Sequence, residues 1–329
     1  MVAGSASPAG AGHHQDTPAG VGPAGQDAQP SPTGLAAATA AVSLWGGGNV
    51  LVAAVPIDGL SLAFLRLWLA FAVYGVVLVA RGVRLHRSQF RPVLLGGFFF
   101  GADLITFYLA LQYTSVAIAV TVSALQPIGV LAAASIFFGE RVTRTHVMWG
   151  TIAIVGVIMV VLGAGTGGAA TLTGNLWAVG ALVCWAGYFI GSKSARRHVD
   201  NHTYLVWINL IGGIMLTPVI LVVGLDADRA FSWSGLGWVA LIVAVPGSGH
   251  VVMNWAHAHT TLTSTSLLTL AMPVISSGLA ALFLGQAVVP VQIVGIAITL
   301  GALAAVTAYN ARRPEFLESV IDQVDPEVL

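Results

Sequence analysis

Ten nearly continuous apolar stretches follow one another along the chain, at approximately 33–53, 59–80, 93–111, 115–138, 146–164, 174–192, 204–224, 236–255, 262–284 and 291–309, with mostly short connections between them. Each is long enough to cross ~30 Å of hydrocarbon as an α-helix rising about 1.5 Å per residue. They lack the strict apolar–polar alternation of a membrane barrel strand. The pattern therefore predicts an all-α integral membrane protein of ten transmembrane helices, with successive helices antiparallel.

The pattern also occurs twice. Shifting residues 101–139 by 146 positions lays Gly101 on Gly247, Ala110 on Ala256, Thr114 on Thr260, Pro127 on Pro273, Phe137 on Phe283 and Gly139 on Gly285. After a one-residue deletion in the turn, Gly150 falls on Gly295 and Gly156 on Gly301, while Trp45 of the first segment matches Trp185 of the sixth. The chain then divides into a tail over 1–32, a first repeat over 33–168, a second over 169–309 and a C-terminal tail over 310–329. Five helices is an odd number, so tandem copies enter the membrane in opposite directions. Inverted repeats around a midplane site recur among secondary transporters.

Composition agrees with this. Apolar residues make up 57% of the chain and charged residues 8%, against roughly 25% charged in a soluble domain. The Gly-, Ala- and Pro-rich tail over 1–32 has no Lys or Arg, predicts disorder, and lacks the basic start of a secretory signal. Arg81, Arg84, Arg87, Arg91, Arg141, Arg144, Lys193, Arg196, Arg197, Arg312 and Arg313 all fall on one side of a ten-helix arrangement, and only Arg229 falls on the other. The positive-inside rule then puts both termini in the cytoplasm of a cell bounded by this membrane. One cysteine, Cys184, excludes an internal disulfide, and no Cys/His metal spacing or Walker-type loop occurs. The near-zero net charge argues against nucleic acid as a partner.

The polar residues inside the segments are the candidate chemistry. Arg66 and Asp103 lie roughly 12–14 Å below the outer surface by helical rise, where an unpaired charge costs ~2.5–3.5 kcal/mol. They are expected to share a polar environment and to pair directly, either bracing two helices or serving substrate and protons. Gly101 and Gly247 are matched candidates for helix interruptions, the second within Pro246-Gly247-Ser248-Gly249, and such interruptions point to a transport path. Close packing through small residues is the alternative. His250, Asn254 and His257 fall on one helical face, with His250 able to titrate near neutral pH. His257 and His259 are expected to be solvated at the cytoplasmic boundary.

Pro127 and Pro273 read as mid-helix interruptions, with Ser123 and Gln126 beside the first and Thr265, Thr269 and Ser276 beside the second. Hydroxyls there either satisfy carbonyls freed by proline or leave them to a substrate. Trp45, Trp185 and Tyr188 are candidate aromatic walls, with Asn49 one turn past Trp45 on the same face. The fifth and tenth segments, carrying Gly150, Gly156, Gly295 and Gly301 among aliphatics, read as packing or dimer helices outside the path.

Taken together, Trp45-Gly46, Leu65-Arg66-Leu67, the Ala110-to-Ser115 run ALQYTS, Phe138-Gly139-Glu140-Arg141, Asn254-Trp255-Ala256 and Met272-Pro273-Val274 resemble the five-helix repeats of EamA-type members of the drug/metabolite transporter superfamily. The resemblance covers roughly 33–308. Gln286 departs from it, standing where an acid like Glu140 is usual. It implies export or exchange of a small metabolite or drug across the cytoplasmic membrane without ATP hydrolysis, by alternating access and without a cofactor. A non-transporting membrane sensor or scaffold and a polytopic membrane enzyme are the alternatives. The expected partners are a small-molecule substrate and membrane lipid, with protons and a second copy of the chain as further candidates.

Overall fold

The computed structural model describes residues 31–113, 122–163, 171–285 and 288–312. Residues 1–30 and 313–329 of the two tails, residues 115–121 of the fourth segment and Gln286 lie outside them. All the described elements are helical: α1 (Pro32–Ala54), α2 (Gly59–Ala80), α3 (Phe90–Tyr113), α4 (Gln126–Phe138), α5 (Arg144–Gly163), α6 (Leu172–Ala195), α7 (Asn201–Val223), α8 (Trp233–Ala244), α9 (Pro246–His259), α10 (Leu262–Leu268), α11 (Met272–Leu284) and α12 (Pro290–Ala311). Nine spans among the described residues are long and apolar enough to cross a membrane, α8–α9 and α10–α11 each counting as one. The described part of the fourth segment is the shorter apolar helix α4.

Polar residues in the short connections start the helices. The side chains of Ser31, Asp58, Thr171, Asp200, Ser232 and Thr261 accept hydrogen bonds from the free backbone N–H groups of α1, α2, α6, α7, α8 and α10. Glycine stops two of them. Gly139 ends α4 at φ 65° and Gly285 ends α11 at φ 64°, the left-handed conformation that a Cβ opposes. The 146-position shift superposes these two residues, and the helices they end have the same length, 13 residues, and a proline at the second position of each.

Pro127 and Pro273 therefore sit in the first turn of a helix, where the missing N–H is harmless; neither interrupts a helix at its middle. The interruption in the ninth segment is a 3-10 turn at Thr269–Ala271 just before Pro273. In the eighth segment the break falls at Val245, between α8 and α9, one residue ahead of Pro246-Gly247. Gly101 behaves differently from its counterpart Gly247. Helix α3 runs unbroken through it, and a Cβ there would lie 3.0 Å from the Gly212 Cα of α7. Its role in this structure is close packing rather than a hinge.

Packing crosses the middle of the chain. Helix α3 lies along α6 and α7, α2 along α7, α1 along α9 and α11, α4 against α6 and α10, and α5 along α12. A main core gathers Trp45, Leu67, Phe100, Tyr188, Phe189, Tyr204 and Met253. A second, with Ala153, Val157, Leu267 and Ala302, fills the space between α5, α10 and α12. The glycine-bearing helices of the fifth and tenth segments pack on each other within the chain, so tightly that a Cβ on Gly295 would sit 2.5 Å from the Gly156 carbonyl oxygen.

Candidate functional site

A narrow cleft, with a cavity of about 20 Å³, lies where α2, α3, α7, α8 and α9 meet. Arg66 and Tyr74 enter it from α2, Phe100 from α3, Asn209 from α7, Val243 from α8, and Gly247 and His250 from α9. The break in the eighth segment forms part of its wall, and the Tyr74 hydroxyl donates to the Gly247 carbonyl at 3.4 Å. That carbonyl lies in the first turn of α9 beside Pro246, so a side chain from α2 is in contact with the interrupted backbone.

Arg66 and Asp103 do not pair as expected. Both are half-buried, and among the described residues neither side chain forms a hydrogen bond or an ion pair within 4.0 Å. They remain electrostatic neighbours, because the Arg66 charge acts on Asp103 and on Tyr74, Tyr108, Tyr188 and His250 around it. Depth along a helix put the two at one level, but equal depth does not by itself bring two side chains into contact.

Beside the cleft stands an aromatic and imidazole cluster. Trp45 and Trp185 meet edge to face with centroids 5.3 Å apart. His250 lies 5.0 Å from the Trp45 ring and 5.1 Å from Phe100. Trp45 reaches this position because position 249 is glycine: a Cβ there would be 2.7 Å from its Nε1. Hydrogen bonds continue from the rings toward the ends of α6 and α9. The Tyr188 hydroxyl shares a hydrogen bond with His250 Nδ1 at 3.1 Å and donates to Asn254 Oδ1 at 3.1 Å. Ser192 also donates to Asn254 Oδ1, and its Oγ lies 2.8 Å from His257 Nδ1. His257 is only 1% exposed, a correction to its expected solvation, whereas His259 is exposed and stacks on Trp255 at 3.7 Å.

The remaining candidates are elsewhere. Thr269 donates to Gln126 Oε1 at 3.3 Å, so the proline-headed helices α4 and α11 are tied where each begins. Ser123 lies just ahead of α4. Asn49 is exposed and donates to Ser276 of α11 at 3.1 Å, so it does not share the Trp45 face. Four residues on a helix are about 40° past a full turn, enough here to pass from α9 to α11. Among the described residues, no group of three or more His, Cys, Asp or Glu side chains could hold a metal ion.

A third feature escaped sequence reasoning. Where α1 begins and α12 ends, Glu140 and Lys193 form a buried ion pair at 3.1 Å, with side chains 4% and 3% exposed. Both Glu140 carboxylate oxygens are used further. Oε1 accepts from the Leu262 N–H at 2.7 Å, and Oε2 from the Thr263 N–H and hydroxyl at 2.9 and 2.7 Å. Lys193 also donates to the Thr260 carbonyl at 3.0 Å. One carboxylate thus joins the turn after α4, the end of α6 and the start of α10. The sequence signal was the Gly139-Glu140 turn, but nothing in it marked Lys193 as the partner.

The EamA-like transporter family matches this chain twice, at residues 32–162 and 172–308. The threonine/homoserine exporter RhtA of Escherichia coli (strain K12) is 27% identical over 275 residues, covering 81% of this chain and 86% of that protein. RhtA of Salmonella typhimurium (strain SL1344) is 27% identical over 249 residues, covering 74% and 78%. A solved crystal structure superposes with a TM-score of 0.73 at 20% identity, over 85% of this chain and 98% of its own, a likeness of fold. With apolar helices through its length and both halves matched by one family, this multi-pass membrane protein belongs to the EamA-like transporter family.

Proposed function

We propose that this chain is a secondary carrier that exports or exchanges a small metabolite or drug across the cytoplasmic membrane by alternating access. In this reading ten helices cross as two five-helix repeats of opposite orientation, over 33–168 and 169–309, with both termini in the cytoplasm. The eleven basic residues on one side support the orientation. The paired family matches and the equivalent left-handed ends at Gly139 and Gly285 support the repeat.

The observation that carries the proposal is the cleft of Arg66, Tyr74, Asn209 and His250 built against the α8–α9 break. A carrier needs a polar site that irregular backbone can open and close, and membranes tolerate such backbone only where it is buried or lines a cavity. The Glu140–Lys193 pair then closes the cytoplasmic end, and parting it would open the cleft inward. The names of the RhtA relatives put small polar amino acids first among substrates to try.

Counterflow in proteoliposomes tests this. Purified protein should accelerate uptake of a labelled solute into vesicles preloaded with the same solute, without ATP. Folded protein that moves no member of a panel of amino acids, nucleobases and cationic drugs would overturn the proposal.

A further inference from the structure

A single amide oxygen is shared by two hydroxyls, and each hydroxyl also touches an imidazole. Helix α9 carries His250, Asn254 and His257 along one face, with Asn254 between the two rings. The Tyr188 hydroxyl donates to Asn254 Oδ1 at 3.1 Å and lies 3.1 Å from His250 Nδ1. The Ser192 hydroxyl donates to the same oxygen and lies 2.8 Å from His257 Nδ1. Asn254, Tyr188, Ser192 and His257 are all buried. A hydroxyl has one hydrogen to give, and an amide oxygen has none. Each hydroxyl therefore spends its hydrogen on Asn254 and is left to accept from the imidazole beside it. That places the proton of both rings on Nδ1.

We infer that Asn254 is a positioning residue that holds His250 and His257 in one shared tautomer, Nδ1–H, and so makes His250 Nε2 a basic hydrogen-bond acceptor in the cleft. His250 lines the cleft with Nδ1 already engaged, which leaves Nε2 for whatever enters. Arg66, the charged group in the same lining, can only donate. The cleft thus holds a fixed acceptor as well as a fixed donor, and a solute or water meets the imidazole with an N–H or O–H. The shared tautomer also suits His257. Its Nε2 has no partner among the described residues, and its ring lies 4.8 Å from that of Phe189. An acceptor left bare is better tolerated there than a donor left bare. Asn254 Nδ2 is also without a partner among the described residues. Turning the amide over brings no relief, because it strands the oxygen and puts an unpaired N–H on His257. The assignment concerns the chemistry of the cleft and goes beyond the transport reading, which it does not require.

Nitrogen-15 spectra of histidine-labelled full-length protein test it, recorded at alkaline pH where imidazole is neutral. Two-bond correlations to the ring protons distinguish Nδ1–H from Nε2–H. A histidine side chain in water prefers Nε2–H, so the expected result is not the default. The two rings are assigned by the signals lost in His250→Gln and His257→Gln. If those variants do not fold, Overhauser contacts with Trp45 and Phe189 assign them instead. Both rings should be Nδ1–H in the unaltered protein. Asn254→Leu, which removes the shared acceptor, should convert both to Nε2–H, although they are seven residues apart. Tyr188→Phe should release His250 alone, and Ser192→Ala should release His257 alone. Asn254→Asp keeps an oxygen acceptor and should preserve Nδ1–H in both. Nε2–H at either ring of the unaltered protein overturns the inference even if no variant folds, as do unchanged tautomers in folded Asn254→Leu. A protein with both rings Nδ1–H that carries no solute keeps this inference and loses the transport reading.

Discussion

Glu140 and Lys193 belong to different halves of the chain, 53 positions apart, yet they meet at 3.1 Å in a space almost closed to solvent. Around them Phe138 presents its ring to the Lys193 ammonium at 5.7 Å and to the Arg197 guanidinium at 5.1 Å. Burying an ion pair contributes little in itself, but removing one member strands the other, at a cost of about 3–5 kcal/mol. Lys193→Met and Glu140→Gln should each lower the melting temperature in detergent, and the double variant should recover part of the loss. A double variant no more stable than either single one would mean the two charges act independently.

Gly249 should be intolerant of even a methyl group. In Gly249→Ala the new Cβ meets Trp45 Nε1 at 2.7 Å, and overpacking of this kind costs about 1–3 kcal/mol. Transport should fall, and adding Trp45→Phe should restore part of it by removing the atom in the way. No rescue in the double variant would place the defect outside the Trp45 contact.

The contact between α5 and α12 predicts a contrast between glycines. Gly295→Leu should destabilise the protein strongly, because the α5 backbone already occupies the position of its Cβ. Gly301→Ala, two turns along the same helix, meets nothing within 4 Å and should be neutral or gain up to about 1 kcal/mol from lower backbone entropy. Thermal melting of the two variants side by side checks both.

Tyr188→Phe removes one hydroxyl that serves both His250 and Asn254. Hydrogen bonds of this kind contribute about 0.5–1.5 kcal/mol each, so a modest fall in stability is expected. The ring contacts of Tyr188 with Trp185 and Phe100 should persist. A loss of transport much larger than the loss of stability would assign the hydroxyl to substrate handling.

Much of the architecture was legible in the sequence because it rests on apolar length and on glycine and proline, whose conformational demands are local. Among the described residues the apolar stretches reappear as helices, Trp45 and Trp185 touch, and Gly139 and Gly285 end their helices alike. The errors share a physical origin. Helices α6 and α9 run past their apolar stretches, to Ala195 and His259. The overhang carried Lys193 and His257 under the cover of neighbouring helices, although a hydropathy reading leaves both at the boundary. Arg66, Asp103 and Asn49 were misjudged for another reason: depth along a helix follows from counting residues, whereas the direction a side chain faces depends on which helix lies next to it. The sequence does not state those neighbours.

Those neighbours have a consequence for how the protein is made. Among the described residues, each helix from α1 to α5 lies mainly against helices after residue 171, and contacts among these five are sparse. The described helices of the emerging N-terminal half therefore have few partners within that half. At ~5–20 residues per second, it waits on the order of ten seconds inside the bilayer for its partner to be synthesised. Biogenesis should thus depend on insertion machinery that shelters unpartnered helices. Two half-length polypeptides, cut between Gly163 and Thr171 and expressed together, should assemble where neither accumulates alone.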